Sequence, residues 1–192
     1  MLDEAILASR YASPNRTGFL LESLTDLRHS LRGRGADLVV RRVDPVRETM
    51  ALVDQSGANT VFASADVSAF AQRRERRLTA ACRSAGVAHR GFPGVSVVAP
   101  EALSTASGSL PGVHALLASA PEAVLPVMRL PEGLDPGELP ALGELVAGAH
   151  SPEVVRGGES EARRRLNAWS RSSLGGYEAA HDDLASATSR AS

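Results

Sequence analysis

The chain contains 192 residues and carries a formal net charge of −1 at neutral pH. This length allows one domain of ordinary size, or one domain with an appended segment. A charge so close to zero excludes a strong overall field that would draw the molecule to nucleic acid or anionic lipid. Apolar residues make up 43% of the chain and aromatic residues only 4%, so we expect a core of Leu, Val and Ala.

Cysteine content and the N-terminus indicate the compartment. The only cysteine, Cys82, excludes an internal disulfide and favours a reducing interior. No apolar run approaches the ~20 residues of a membrane span. Asp3 and Glu4 stand where a signal peptide would carry basic residues. We therefore expect a cytoplasmic protein with no membrane partner.

The first regular pattern in the chain is helical. Leucines at intervals of four, three and four residues define one apolar face: Leu20, Leu24, Leu27 and Leu31. Gly33 and Gly35 follow, where such a helix would end. The next apolar run, Leu38–Val40, is short and rich in β-branched residues, which predicts a buried strand.

A second helix and strand follow. Asp44 is suited to cap a helix and Pro45 to open it, so we expect a helix from here to about Gln55, ending at Gly57. The run Thr60–Ala63 then predicts a second strand.

The next helix is predicted to begin after a cap at Asp66 or Ser68 and to close at Gly86. Its basic face contains four arginines: Arg73, Arg74, Arg76 and Arg77. Val95–Val98 reads as a third strand. Strands separated by single helices predict an α/β fold with a parallel sheet and helical crossovers.

The character of the sequence changes after Pro100. Prolines and glycines are frequent through residues 107–156, which predicts a long linker. Helical patterning then returns, with Ala162, Leu166 and Trp169 on one face and a further helix expected near Tyr177.

Few residue patterns point to chemistry. The five histidines are scattered, so no metal site is expected, and no Gly-rich phosphate loop or nucleophile elbow is present. We interpret the arginine cluster as a solvated helix face rather than a phosphate site. Cys82 reads as a small core residue and Trp169 as a packing residue. We assign no catalytic residue.

Several strings, in order, resemble the N-terminal half of class I members of the DNA photolyase/cryptochrome family. The strings are Arg16–Arg28, Gly35–Pro45, Ala65–Glu75, the Gly157-Gly-Glu run with Leu166 and Trp169, Tyr177–Leu184 and Thr188–Ser192. The resemblance implies an incomplete Rossmann-like α/β domain over residues 1–106, a linker over 107–156 and the start of a helical FAD-binding domain over 157–192.

The resemblance also implies site residues and partners. Short hydroxyls and backbone N–H groups at a helix start suit a pyrophosphate. In the family such groups contact FAD, and the matching positions here are Tyr177, Thr188, Ser189, Arg190 and Ser192. His181 matches the position that reaches DNA phosphate, so the implied partner is DNA containing pyrimidine dimers. The positions that bind a folate antenna in some members fall at Phe70 and Ala71, which lack polar groups, so the antenna chromophore is not identified.

The chain departs from the family pattern at three places. The family's opening strand and loop have no match, and Met1–Asp3 resembles the end of its second strand, so a central strand is expected to be missing. The aromatic stretch expected near Gly108–Pro121 is poorly matched, and nothing corresponds to the family's later FAD-enclosing segments. We therefore expect a piece of the family's protein, truncated at both ends and inactive alone.

Three hypotheses for function follow. The first is a fragment of a light-dependent DNA repair flavoprotein that splits cyclobutane pyrimidine dimers, or of a cryptochrome-type photoreceptor. The second is a stand-alone Rossmann-like nucleotide-binding module, which the absent Gly-rich loop disfavours. The third is an inert remnant, because strands on either side of a missing strand leave backbone groups unpaired.

Overall fold

Helices and short strands alternate along residues 1–93 and 127–180, the part of the chain that this computed structural model describes. In chain order the elements are β1 (Leu2–Asp3), α1 (Glu4–Leu7), α2 (Pro14–Arg32), β2 (Arg42–Val43), α3 (Pro45–Ser56), β3 (Thr60–Ala65), α4 (Ala69–Ser84), β4 (Ala88–Pro93), α5 (Leu142–Leu145), α6 (Glu159–Ser172), a 3-10 turn (Leu174–Gly176) and α7 (Tyr177–Ala180).

The chain divides into two units. The first unit contains residues 1–2 and 41–126, and the second contains residues 3–40 and 127–192. The domain boundaries near 106 and 156 that the sequence suggests stay predictions. Within the described part of the proposed linker, residues 127–156, the only regular element is the four-residue helix α5.

The first unit is built around a parallel strand pair. β3 and β4 pair from Thr60 opposite Ala88 to Ala65 opposite Pro93, and α4 makes the crossover between them. This arrangement confirms the predicted α/β class. The amide of Leu2 donates a 2.7 Å hydrogen bond to the carbonyl of Arg41, where β1 and β2 form a second two-stranded sheet. The strand predicted at Val95–Val98 lies outside the described residues.

Local signals set the ends of α3. An oxygen of the Asp44 side chain accepts hydrogen bonds from the amides of Val46 and Arg47 at 2.9 and 3.0 Å. These are two of the donors that a helix start leaves unpaired. The helix ends at Gly57, whose φ of +67° lies in the left-handed region that favours glycine.

A capping side chain and a following glycine likewise mark the ends of α4. Ser68 is its cap, accepting from the amide of Ala71 at 3.3 Å, while Asp66 accepts from the amide of Ser68. Gly86, with a φ of +69°, follows the helix. Start and end signals of both helices were therefore predicted correctly from the sequence.

Small apolar residues form the core of the first unit. Val46, Val53 and Ala71 are buried, and Cys82 is fully so. The Sγ atom of Cys82 lies 3.8 Å from Met50 Sδ, which joins α4 to α3. Burial raises the pKa of the Cys82 thiol, so it is protonated and unreactive at neutral pH. The interpretation of Cys82 as a core residue is confirmed.

One expectation about apolar patterning was wrong. Leu38–Val40 forms no strand, and the amide of Val40 donates instead to the carbonyl of Pro136 at 2.7 Å, a partner far along the chain. The predicted helix with the leucine face is present as α2, and Leu20 and Leu27 on that face are 39% and 45% exposed.

The buried residues of α2 are instead Thr17, Gly18 and Arg28. Arg28 is 5% exposed and donates through Nε to Asp37 at 2.7 Å and through Nη2 to the carbonyl of Gly137 at 2.7 Å. The hydrogen bond from Arg28 lowers the pKa of Asp37 to about 2. Arg32 donates to the other carboxylate oxygen of Asp37. These bonds fasten residues 37 and 137 to α2.

We predict that Arg28→Met lowers the free energy of unfolding by about 1–3 kcal/mol, because it removes the buried guanidinium that donates to Asp37 and to the half-buried carbonyl of Gly137. Arg32→Met is the matched control, since Arg32 is 56% exposed at its side chain and bonds the same carboxylate. Its loss is expected to cost less than about 1 kcal/mol. Urea unfolding of both variants measures the difference, and equal losses would contradict the assignment.

Candidate functional site

The candidate site lies in the second unit, where α6 begins and α7 follows it. The N-cap of α6 is Gly158, which has no side chain to accept from the first amides of the helix. Three side chains of α2 accept instead. Gly157 donates its amide to Glu22 Oε2 at 2.7 Å, Gly158 to Ser23 Oγ at 3.0 Å and Ser160 to Asp26 Oδ2 at 3.0 Å.

We call Glu22, Ser23 and Asp26 the α2 cap. Its two carboxylates lie at the positive end of the α6 dipole, which favours negative charge. The hydrogen bond from the Ser160 amide lowers the pKa of Asp26, so this carboxyl stays ionised well below neutral pH. The α2 cap therefore fixes both the position and the start of α6.

Close approach of the two helices explains the Gly157-Gly158 pair. A Cβ atom on Gly157 would overlap the carbonyl oxygen of Phe19 and lie 2.6 Å from Ser23 Oγ. Gly158 has a φ of +110°, a conformation that side chains rarely adopt, and a Cβ there would lie 3.0 Å from Asp26. Only glycine fits either position without displacement.

Aromatic rings join α6 to α7. The rings of Trp169 and Tyr177 lie edge to face, with centroids 5.9 Å apart and an interplanar angle of 83°. Tyr177 opens α7 and is 46% exposed. Trp169 Nε1 is buried and has no hydrogen-bond partner among the residues described. Trp169 is therefore a packing residue that holds the ring of Tyr177, as its place on the helix face suggested.

Of the predicted site residues, the structure describes one. Tyr177 stands at a helix start, as expected. His181, Thr188, Ser189, Arg190 and Ser192 lie outside residues 1–93 and 127–180, so their roles stay predictions.

The sequence reasoning missed the α2 cap altogether. Its residues lie about 135 positions before the amides that they accept from, so no local capping pattern marks them. A signal was available, however. Two glycines directly before a helical pattern, with no Ser, Thr, Asp or Asn in the cap position, leave amides that need acceptors from elsewhere.

A separate cavity of about 310 Å³ lies within the first unit. Met1 and Asp66 line it, together with residues of three elements. These are Val46 and Thr49 of α3, Ala63 and Ser64 of β3, and Ala71, Arg74, Glu75 and Leu78 of α4. Burial, and then the charge of Arg74, lower the pKa of the Met1 amino group.

Two arginines on the basic face of α4 contact other side chains of the protein. Arg77 Nη2 lies 2.7 Å from Asp44 Oδ2, and the Arg74 guanidinium lies 5.8 Å from the ring centroid of Phe70. Ala71 is buried. The arrangement agrees with a solvated helix face and leaves the antenna chromophore unassigned.

Residues 1–128 match the family model for DNA photolyase. Over 99% of its length the chain is 32% identical to the deoxyribodipyrimidine photo-lyase of Streptomyces griseus, of which it covers 44%. It is 34% identical, over 86% of its length, to the cryptochrome DASH of Gloeobacter violaceus, of which it covers 36%. The chain thus spans less than half the length of these curated relatives.

Solved structures show the same fold. A cryptochrome of Synechocystis superposes with a TM-score of 0.72 at 22% identity, covering 92% of this chain and 41% of that one. A class III photolyase of Agrobacterium tumefaciens gives a TM-score of 0.65 at 23% identity, covering 92% and 39%.

Within residues 1–93 and 127–180, no helix is long and apolar enough to cross a bilayer. In the same part of the chain, no group of three or more His, Cys, Asp or Glu side chains is arranged to hold a metal ion.

We predict that Gly157→Ala destabilises the second unit by about 1–3 kcal/mol, since the added methyl group must displace the Phe19 carbonyl or Ser23. Gly143→Ala is the matched control, because nothing lies within 4 Å of a Cβ there and the residue is helical. That change should be neutral or stabilise slightly. The emission of Trp169 during urea unfolding reports on this unit, and an unfolding midpoint unchanged by Gly157→Ala would contradict the close approach.

Proposed function

Because this chain belongs to the DNA photolyase family, which includes the cryptochromes, we propose that it forms the N-terminal α/β portion and first flavin-contacting turn of a light-dependent DNA repair flavoprotein. The observation that carries the proposal is the match of 99% of the chain to a deoxyribodipyrimidine photo-lyase. The parent activity in this proposal is the splitting of cyclobutane pyrimidine dimers, and the partner is DNA that carries them.

The described residues fit one contact to FAD. Tyr177 is 46% exposed at the start of α7, and its ring is held by Trp169. Its phenolic group can donate to or accept from a phosphate or ribityl oxygen. Thr188, Ser189, Arg190 and Ser192 would add hydroxyl, amide and guanidinium donors to the same cofactor, and His181 would contact DNA phosphate.

In this proposal the cofactor and the protein have different roles. Light-driven electron transfer would be supplied by FAD when it is bound, and the residues of this chain would bind and orient it. The α2 cap would support that role indirectly. It holds the start of α6, the helix that carries Trp169, and the ring of Trp169 packs against that of Tyr177. No residue of the chain is proposed as catalytic.

A photoreceptor is the second candidate. The 34% identity to a cryptochrome DASH over 86% of the chain supports it. In either case the described residues would contribute the same scaffold and the same flavin contact. With Cys82 as its only cysteine the sequence cannot form an internal disulfide, so we also propose that the protein acts in the reducing cytoplasm.

The first experiment measures absorbance and repair on the purified chain. We expect no stoichiometric flavin after purification and no repair of dimer-containing DNA under blue light, because a single turn of contacts cannot enclose an isoalloxazine ring. Stoichiometric flavin with repair would overturn the proposal that these residues form only part of a site. The stand-alone nucleotide-binding alternative is tested by calorimetric titration with ATP or AMP, where we expect no heat of binding.

The same preparation tests the contact itself by titration with FAD. Trp169 is the only tryptophan, and its ring lies 5.9 Å from that of Tyr177, so flavin bound there should quench its emission. Tyr177→Phe keeps the ring and removes one hydroxyl, which should raise the Kd about two- to tenfold. Tyr11→Phe is the matched control, since Tyr11 is the only other tyrosine in the sequence and its hydroxyl accepts a hydrogen bond from Arg10. Absence of quenching, or equal affinities of wild type and Tyr177→Phe, would contradict the assignment.

A further inference from the structure

Charge is distributed unevenly along the chain. The whole chain carries a net charge of −1, but the described residues of the first unit, 1–2 and 41–93, contain nine arginines and five Asp or Glu side chains. With histidine neutral, these side chains carry a net charge of +4. Five of the nine arginines lie on α4, which has a single carboxylate, Glu75. The first unit therefore has a local positive field that the overall charge does not reveal.

Three arginines of α4 remain available on its exposed side. Helical spacing places Arg73, Arg76 and Arg83 within about 80° of one another around the helix axis, and all three are exposed. Arg77 is also exposed, but Asp44 neutralises it across 2.7 Å. Among residues 1–93 and 127–180, by contrast, the other three form no salt bridge or side-chain hydrogen bond. We call these three residues the arginine face.

A depression of about 410 Å³ follows the same side of the helix. It is lined by Gln72, Glu75, Arg76, Thr79, Ala80 and Arg83. The small side chain of Ala80 lets another molecule approach the helix closely between the two arginines. Glu75 is half-buried and brings one negative charge to the wall. The depression thus offers mainly cationic and hydroxyl or amide groups.

We propose that the arginine face binds the phosphate backbone of duplex DNA, whatever its base sequence and whether or not it carries a pyrimidine dimer. This contact is separate from the one proposed for His181. The inference rests on the first unit alone and does not depend on flavin binding or repair.

The chemistry and spacing of the face fit phosphate. A guanidinium group presents a planar fork of donors that matches two oxygens of one phosphate. From Arg73 to Arg83 the helix rises about 15 Å, over which one strand of duplex DNA advances about four nucleotides. No aromatic side chain lines the depression, so it offers no surface on which unpaired bases could stack. A double strand is therefore favoured over a single strand.

An anionic membrane and an acidic polypeptide fit less well. A helix that binds a membrane surface inserts an apolar face, whereas Ala71 and Cys82, on the apolar face of α4, are buried in the core. An acidic polypeptide would need a dense run of carboxylates, whereas DNA carries a charge at every nucleotide.

The first test measures binding of the full chain to a short fluorescein-labelled DNA duplex that carries no dimer and no flavin. Fluorescence anisotropy at low salt should show saturable binding. Three arginines on phosphate would release about three counterions, so the Kd should rise about twentyfold between about 50 and 150 mM NaCl. Absence of saturable binding, or a Kd that does not change with salt, would overturn the proposal.

A double variant locates the contact. Arg76→Gln with Arg83→Gln should weaken binding about tenfold or more at low salt and lower the slope of log Kd against log salt by about two. The matched control is Arg34→Gln with Arg129→Gln, which removes the same charge from exposed positions of the second unit. It should change the Kd less than twofold. Equal weakening by the two double variants would show that net charge alone is responsible and would overturn the proposal.

A variant of opposite sign and three competitors complete the test. Glu75→Gln removes the one carboxylate of α4 and should tighten binding at least twofold, and it decides the case if the double variant does not fold by circular dichroism. Weaker or unchanged binding by Glu75→Gln would contradict the arginine face. Polyglutamate, phosphatidylserine vesicles or an RNA duplex that bound more tightly than DNA, at equal charge, would make that competitor the occupant and overturn the proposal.

Discussion

The candidate site depends on one interaction, the capping of α6 by side chains of α2. Two glycines precede α6 and offer no side-chain acceptor for its first amides. Asp26 accepts from the amide of Ser160 within the helix, and Glu22 and Ser23 accept from the amides of Gly157 and Gly158 just before it, at 2.7–3.0 Å. The absence of a Cβ atom at Gly157 allows the backbones to approach closely enough for these bonds to form. Trp169 lies on this helix, and its ring packs against that of Tyr177.

The sequence predicted those parts of the fold that short-range signals control. Asp44 with Gly57, and Ser68 with Gly86, mark the ends of α3 and α4 correctly because each cap acts on amides two or three residues away. The run Thr60–Ala63 was recognised as a strand because its pattern is local. The helix that opens at Tyr177 was predicted for the same reason.

Long-range contacts account for what the sequence could not predict. Leu38–Val40 looks like a strand, yet Val40 bonds Pro136 instead, and no local pattern reveals a partner so distant in the chain. The buried face of α2 was missed because Arg28, a charged residue, is buried through bonds to Asp37 and Gly137. Of the candidate site, only Tyr177 could be compared with its expected place, since residues 181–192 lie beyond the part described.

Amide hydrogen exchange at Ser160 tests the central interaction most directly. Replacing Asp26 by Ala removes the acceptor of that amide, and loss of a cap costs about 1 kcal/mol, so exchange should become about fivefold faster. Asp54→Ala, on the exposed side of α3, should leave it unchanged. If exchange at Ser160 is equally slow in wild type and Asp26→Ala, α6 does not depend on α2, and this account of the site is wrong.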